Sequence, residues 1–460
     1  MGDKMGTGSY SFEREFEGIN FNSSRLRSRF IKTMGELMEQ PDKSIWLSSG
    51  SRSEAKAVYR MLGNEKLSDQ EILRCHRSAT IERISDYQVI LAVQDTTGVN
   101  YANHTKMEGL GYNCDKTLGI NIHSCIAVTP EGLVLGVLDQ SSYTREIRKD
   151  ETASHDKKKR RPIEEKESYR WLETMENSGK DIPSEIKVIH VCDREGDMYE
   201  LFERASSTGK LFLIRIVQNR PTVDSGRTID TIKKLAPAGS IEVLIPRDSR
   251  RNIAERKAVL DISYQSFRVK KPVARNADKH LMDSVGMNII YVKEQRTDES
   301  IEPIEWVLAT SEVISNFEEA FEKIGYYMQR WKIERFHYVL KSGCNIEKIQ
   351  QRSVQKTVML ILMYSIIAIK ILHMTYLARV SPDESCATVF KEIEWKVLYC
   401  TANKTKVPPD EPYVISDAVK YVAKLGGFHG CKSDGSPGLK VIWIGLSKLY
   451  TLLSYLDFLP

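Results

Sequence analysis

The chain has 460 residues, enough for two or three domains and a sizeable core. With 41% hydrophobic and 28% charged residues it has an ordinary globular balance, and its eight cysteines lack both the C-x-x-C spacing of a zinc site and the density of a disulfide scaffold. The net charge of +5, from 67 basic and 62 acidic residues, leans only mildly toward polyanions, so where the basic residues fall matters more than their sum.

Residues 1–16 are polar and charged, with no apolar stretch of a secretory signal, so a reduced, cytoplasmic protein is expected. The first 70 or so residues read as helices. Asn22, Ser23 and Ser24 supply an N-cap before a basic segment holding Arg25, Arg27, Arg29 and Lys32. Ser51 or Ser53 caps a second helix that runs to Arg60. A basic helical module suits phosphate contact, and the same composition also describes a solvated helix face.

From residue 87 the pattern changes. Residues 87–94 form a short apolar, β-branched run that ends at Asp95-Thr96-Thr97-Gly98, a buried strand and its exit. Residues 123–128 and 133–138, joined around Pro130-Glu131-Gly132, read as a hairpin. The stretch Lys157 to Arg161 is a basic loop, for DNA or for solvent, and 165–176 has helical periodicity. Residues 186–192 form another apolar strand, ending at Asp193-Arg194-Glu195-Gly196-Asp197; a helix over 198–205 and a strand over 211–217 follow.

This order predicts an α/β fold with a ribonuclease-H-like core, in which the first and fourth strands are neighbours and carboxylates at their ends converge. Residues 219 to about 305 interrupt it as a β-rich insertion. Strands are expected at 240–246, 257–264, 266–270 and 287–292, interleaved with Arg247, Arg250, Arg251, Arg256, Lys257, Arg268, Lys270, Lys271 and Arg275. A strand at 306–310 returns to the core, and helices are expected over 317–340 and 354–379. The apolar run 358–378 is broken by Lys370 and His373, and its clean part, 358–369, is too short to span a bilayer, so it reads as a core helix. The domain organisation expected is a helical domain over 1–70, an α/β domain over 71–380, and a helical domain over 381–460.

On the 317–340 helix, Tyr327, Arg330, Glu334 and Lys341 fall near about 0°, 300°, 340° and 320° at 100° per residue, one narrow stripe. An exposed face with Arg330–Glu334 pairing gives such a stripe. So does a third carboxylate, Glu334, flanked by groups that grip phosphates. Asp95, Asp193 and Glu334, with no His or Cys among them, suit Mg²⁺ or Mn²⁺. Two ions roughly 3.5–4 Å apart activate an attacking oxygen and stabilise a leaving one at phosphorus.

The spacing Tyr327-x2-Arg330-x3-Glu334-x6-Lys341 resembles the Y-R-E-K signature of the bacterial DDE transposases of the insertion-sequence-four family, the Tn-five type among them. Arg330-Trp331-Lys332-Ile333-Glu334 and Phe336-His337 are similar to that family's helix. Gln94-Asp95-Thr96-Thr97 and Val191-Cys192-Asp193-Arg194-Glu195-Gly196-Asp197 resemble its two aspartate motifs. Glu165-Lys166-Glu167-Ser168, Trp306-Val307-Leu308-Ala309-Thr310-Ser311 and Leu425-Gly426-Gly427-Phe428 follow in the family's order. One departure is Tyr338, one turn after the glutamate, where the Tn-five type carries lysine; it can stack or hydrogen-bond but brings no charge.

The resemblance implies a cut-and-paste transposase that cleaves transposon ends through a hairpin and transfers them to target DNA. Asp95, Asp193 and Glu334 are its implied ligands for two Mg²⁺ or Mn²⁺ ions, and Tyr327, Arg330 and Lys341 its phosphate contacts. Trp306 is implied to stack on a flipped base, although a tryptophan before an apolar strand is also an ordinary core residue. Arg25, Arg29 and Arg60 match basic positions of the end-recognition module. The implied partners are double-stranded DNA, as terminal repeats and target, and a second copy in a DNA-bound homodimer; the location is bacterial, cytoplasmic and nucleoid-associated, with no membrane. A related nuclease without strand transfer, or a catalytically dead DNA-binding or regulatory copy, is the alternative.

Overall fold

A computed structural model describes residues 11–104, 106–146, 162–245, 253–273, 280–295, 301–431 and 435–456. The basic stretch 157–161 and Arg247, Arg250, Arg251 and Arg275 lie outside the described residues. The fold is mixed α/β, with one large central sheet and helical ends.

Among the described residues, ten strands form the sheet: β1 (Val89–Asn100), β2 (Gly111–Tyr112), β3 (Leu118–Val128), β4 (Val134–Tyr143), β5 (Lys187–Cys192), β6 (Leu211–Arg215), β7 (Gly239–Ile245), β8 (Arg256–Lys270), β9 (Ser284–Glu294) and β10 (Glu305–Thr310). Their order is β2-β3-β1-β5-β6-β10-β9-β8-β7, with β4 also on β3. β3 is antiparallel to β1 and β4, whereas β5 runs parallel to both β1 and β6. The strands of the 219–305 region therefore extend the central sheet through β10. Two strands expected at 257–264 and 266–270 are a single one, because Gln265 keeps its pairing with Ile289 and no turn interrupts β8.

Side-chain alternation divides the core between the two faces of the sheet. Phe212 and Ile214 of β6, and Val307 and Ala309 of β10, pack in one apolar cluster; Leu213 and Leu308 pack in the other. The first cluster receives Trp171 and Leu172 from the helix Tyr169–Ser178, and Leu201 and Phe202 from Tyr199–Thr208. Fully buried side chains such as Trp171, Phe202 and Phe212 each contribute roughly 1.5–3 kcal/mol.

The opposite cluster runs without a break from Phe12 to Leu449. The helix Val354–Val380 lies in it; it is the one helix among the described residues long and apolar enough to cross a membrane, and 83% of its most apolar window is buried within the protein. Its two polar breaks are accommodated: Lys370 lies over the Phe12 ring, and His373 Nδ1 donates to the Val134 carbonyl at 2.8 Å.

The amino-terminal helices share that core. Ser23 and Ser51 cap Ser24–Glu39 and Arg52–Leu62 by accepting from the Leu26 and Glu54 amides. Glu15, nearly fully buried, accepts two bonds from Arg83 and one from His76 Nδ1. His76 Nε2 accepts the Val137 amide, so its proton resides on Nδ1. Helix Asp69–Ile84 approaches β4 closely enough that a Cβ on Gly136 would stand 1.9 Å from Thr80 Oγ1. At the carboxyl end, helices Ile415–Leu425 and Leu439–Leu456 cross through Gly426 and Gly445. A Cβ on either would meet a backbone carbonyl of the other helix at 1.8 Å.

Candidate active site

The parallel register of β1 and β5 runs to Val93 opposite Val191, and two residues further each chain carries an aspartate. Asp95 sits within β1 and not at its exit, because the strand keeps its pairing with β3 as far as Asn100; its Oδ1 accepts the Thr96 amide at 2.8 Å. Asp193 leaves β5 and caps a short 3₁₀ turn, accepting the Glu195 amide at 2.8 Å. Burial, reinforced by the Asp193 carboxylate, pushes the Asp95 carboxyl up to about 7, against the pull of Arg330.

Glu334 reaches this pair through Arg330. The Arg330 guanidinium lies 3.8 Å from Asp95 Oδ2 and donates to Glu334 Oε1. Tyr327 is buried beside Arg330, and its hydroxyl feels Arg330, Arg215 and Asp193. Trp306 is half-buried on β10, with its ring edge-on to Tyr327 at 5.5 Å between centroids. Tyr327, Arg330 and Glu334 of the stripe therefore lie together, with Asp95 and Trp306 beside them, but not on one continuous helix.

The helix Phe317–Met328 ends before Arg330, and Trp331–Tyr338 begins after it. The amides of Gln329, Arg330, Lys332 and Ile333 each bond three residues back, a local 3₁₀ tightening. The next stretch, Val339–Gly343, is π-helical and contains Lys341. Lys341 is half-buried and lies within electrostatic reach of Cys114 and His337.

Asp95, Asp193 and Glu334 offer only carboxylate oxygens, the donor type a hard divalent cation takes. Among the described residues, no three acidic, His or Cys side chains close on a common metal position, and Arg330 stands between Asp95 and Glu334.

Arg170 went unnoticed in the sequence. From the start of the helix Tyr169–Ser178 it donates to Thr96 Oγ1 at 3.2 Å and Glu195 Oε2 at 3.1 Å, tying the loop of one aspartate to that of the other. Thr96 Oγ1 also meets His123 Nδ1 at 2.9 Å, and His123 is buried edge-on against Trp171. The only sequence signal was proximity to Glu165-Lys166-Glu167-Ser168; an arginine opening a helix carries no pattern of its own. Asp197 has a separate task. It accepts the Val217 and Gln218 amides and pairs with buried Arg220, anchoring the chain where it leaves β6.

The remaining residues are dispersed. Arg25 and Arg60 are exposed on the amino-terminal helices; Arg29 is partly buried and faces the Lys32, Glu36 and Glu54 group. Tyr338 packs on Trp443 of the last helix, beneath the Arg335 guanidinium, so this position serves packing rather than charge. In the β-rich region several cations are already paired: Arg256 with Glu294, Lys257 with Glu242 and Lys271 with Asp283.

Both ends of the chain resemble known proteins. Residues 10–67 match a family model for transposase DNA-binding, and residues 366–455 match one for the transposase Tn5 dimerisation domain. The two matches span less than half of the chain, and the carboxylates lie between them. Together they support a Tn5-like transposase. A solved piggyBac transposase synaptic complex with hairpin DNA aligns over 78% of this chain and 67% of its own, at 9% identity and a TM-score of 0.33.

Proposed function

We propose that this chain is a cut-and-paste transposase of the Tn5 type, from the bacterial insertion-sequence-four family, that cleaves transposon ends and joins them to target DNA. The observation that carries this reading is a pair of links between two transposase-like ends: the β1–β5 register sets Asp193 beside Asp95, and the Arg330 guanidinium joins Asp95 to Glu334. The core is read as ribonuclease-H-like, from three antiparallel strands followed by two parallel ones. Residues 1–70 serve end recognition, 71–380 catalysis and 381–460 pairing of two subunits, one for each transposon end. The protein acts in the bacterial cytoplasm, at the nucleoid.

Asp95, Asp193 and Glu334 would hold two Mg²⁺ or Mn²⁺ ions, which supply activation of the attacking oxygen and stabilisation of the leaving one. This chain's own groups do the positioning. Tyr327, Arg330 and Lys341 bind the phosphates on either side of the scissile bond, and Arg330 shifts from carboxylates to phosphate as DNA enters. Trp306 stacks on a base displaced from the duplex, which permits the 3′-hydroxyl to attack the opposite strand and close a hairpin. Arg25, Arg29 and Arg60 hold the terminal repeat.

The test is Mg²⁺-dependent cleavage of a duplex carrying the element's own flanked ends, comparing wild type with Glu334→Ala. Hairpinned ends from the wild type alone are expected. If neither protein cuts while both bind, the reading gives way to a DNA-binding copy without catalysis. Cleavage without joined products would make it a nuclease.

A further inference from the structure

Three cations crowd one tyrosine on the far flank of the helix that carries Glu334. Lys332 Nζ lies 3.6 Å from the centre of the Tyr376 ring, the Arg379 guanidinium 5.2 Å from it, and Arg335 acts electrostatically on the Tyr376 hydroxyl. Arg335 also covers Tyr338 at 5.2 Å. At about 100° per residue, Lys332 and Arg335 fall roughly 60° apart and at least 100° from Glu334, so the cluster and the carboxylates occupy different faces. Among the described residues, none of the three cations has a carboxylate partner, although most other cations in partly buried positions do.

Such an arrangement is unfavourable in the free protein. Lys332 and Arg335 are half-buried, and like charges repel more strongly where water is scarce. The Tyr376 ring offsets part of the repulsion but brings no negative charge. An anion seated among the three removes it. Two guanidiniums and an ammonium are the groups that bind phosphate oxygens best, and only Arg379 spends a donor elsewhere, on the Pro437 carbonyl at 2.8 Å.

We propose that Lys332, Arg335 and Arg379 form a second phosphate site, which holds a DNA backbone phosphodiester other than the one being cleaved. The inference rests on the reading of the chain as a DNA-handling protein, and it adds a contact outside the Tyr327, Arg330 and Lys341 group. The cluster joins the Glu334 helix to the end of Val354–Val380 and, through Arg379, to the segment before the last helix. A phosphate held there would fix the carboxyl-terminal helices relative to the cleavage site only when DNA is present.

The test uses the full chain and measures affinity against salt for two duplexes. One is the flanked transposon end; the other is unrelated target DNA offered to the preformed wild-type or variant end complex. Lys332→Gln with Arg335→Gln should flatten the log–log salt dependence by about 0.9 per phosphate lost, on whichever duplex occupies the site. The free variant should melt no lower than wild type, because repulsion has been removed. The charge-keeping pair Lys332→Arg and Arg335→Lys should retain the wild-type slope. An unchanged slope on both duplexes overturns the site. Binding is measured without cleavage, so failure of the transposase reading appears separately, as intact binding with no Mg²⁺-dependent cutting.

Discussion

Arg330 stands 3.8 Å from the Asp95 carboxylate while it donates to Glu334, so one guanidinium joins two carboxylates from distant parts of the chain. Replacing it with alanine leaves their repulsion uncompensated and removes the proposed phosphate contact. End cleavage should fall by roughly 10²-fold, whereas overall DNA affinity should change little, since many other cations contribute. Parallel cleavage and binding titrations decide; equal losses in both count against an active-site role.

Asp95 is destabilising when ionised. Its folded value of about 7 exceeds the unfolded 3.8, so the folded state retains a proton that the unfolded chain releases, and stability declines from about pH 4 to about pH 7. Asp95→Asn should abolish cleavage yet stabilise the metal-free protein by on the order of 2 kcal/mol above about pH 7. The gain should shrink toward pH 4. Melting curves across that range check it, and a gain independent of pH would refute it.

Glu15 has the opposite sign. Burial alone would raise its value, but Arg83 and His76 hold it down at about 2, below the usual 4.5. Its stabilisation is therefore complete above about pH 4.5 and lost as pH falls through about 2. Glu15→Gln should cost on the order of 2–3 kcal/mol at neutral pH, converging with wild type under acid. Denaturant titrations at several pH values measure this.

Arg170 positions both aspartate loops without touching the reacting atoms. Arg170→Gln should slow end cleavage roughly tenfold or more and leave end affinity within about twofold. Arg170→Lys, which keeps the charge but loses the fork between Thr96 and Glu195, should recover only part of the rate. A change confined to affinity would rule out the positioning role.

Gly445 lets two carboxyl-terminal helices touch backbone to backbone. Gly445→Ala drives a methyl into the Val422 carbonyl, 1.8 Å from the new Cβ, and should destabilise by about 1–3 kcal/mol. Any dimer formed through this end should weaken in parallel. Thermal melts and sedimentation of the DNA complex report on both.

Much of this was legible in the residues. The apolar runs into Asp95 and Asp193, the caps at Ser23 and Ser51, and the Tyr327-Arg330-Glu334 spacing are local signals, because strand burial and capping depend on a few neighbouring side chains. The apolar run after residue 354 also read correctly as core: although the helix is long and apolar enough to cross a membrane, 83% of its most apolar window is buried within the protein.

Other features depend on residues far apart in sequence. Arg170 joins Thr96 to Glu195 only once the first and fifth strands are neighbours, and Lys332, Arg335 and Arg379 meet only where two helices cross. The 3₁₀ turn at Arg330, the union of two expected strands into β8 and the pairing of basic β-region side chains with Glu294, Glu242 and Asp283 are of the same kind. The sequence by itself determined most strand and helix segments and the apolar runs that lead to Asp95 and Asp193, because those follow from burial pattern and spacing. Tertiary structure alone decided which charges share a site and which are neutralised, because electrostatic interaction depends on distance through space and on water exclusion, and neither is encoded in a local stretch of chain.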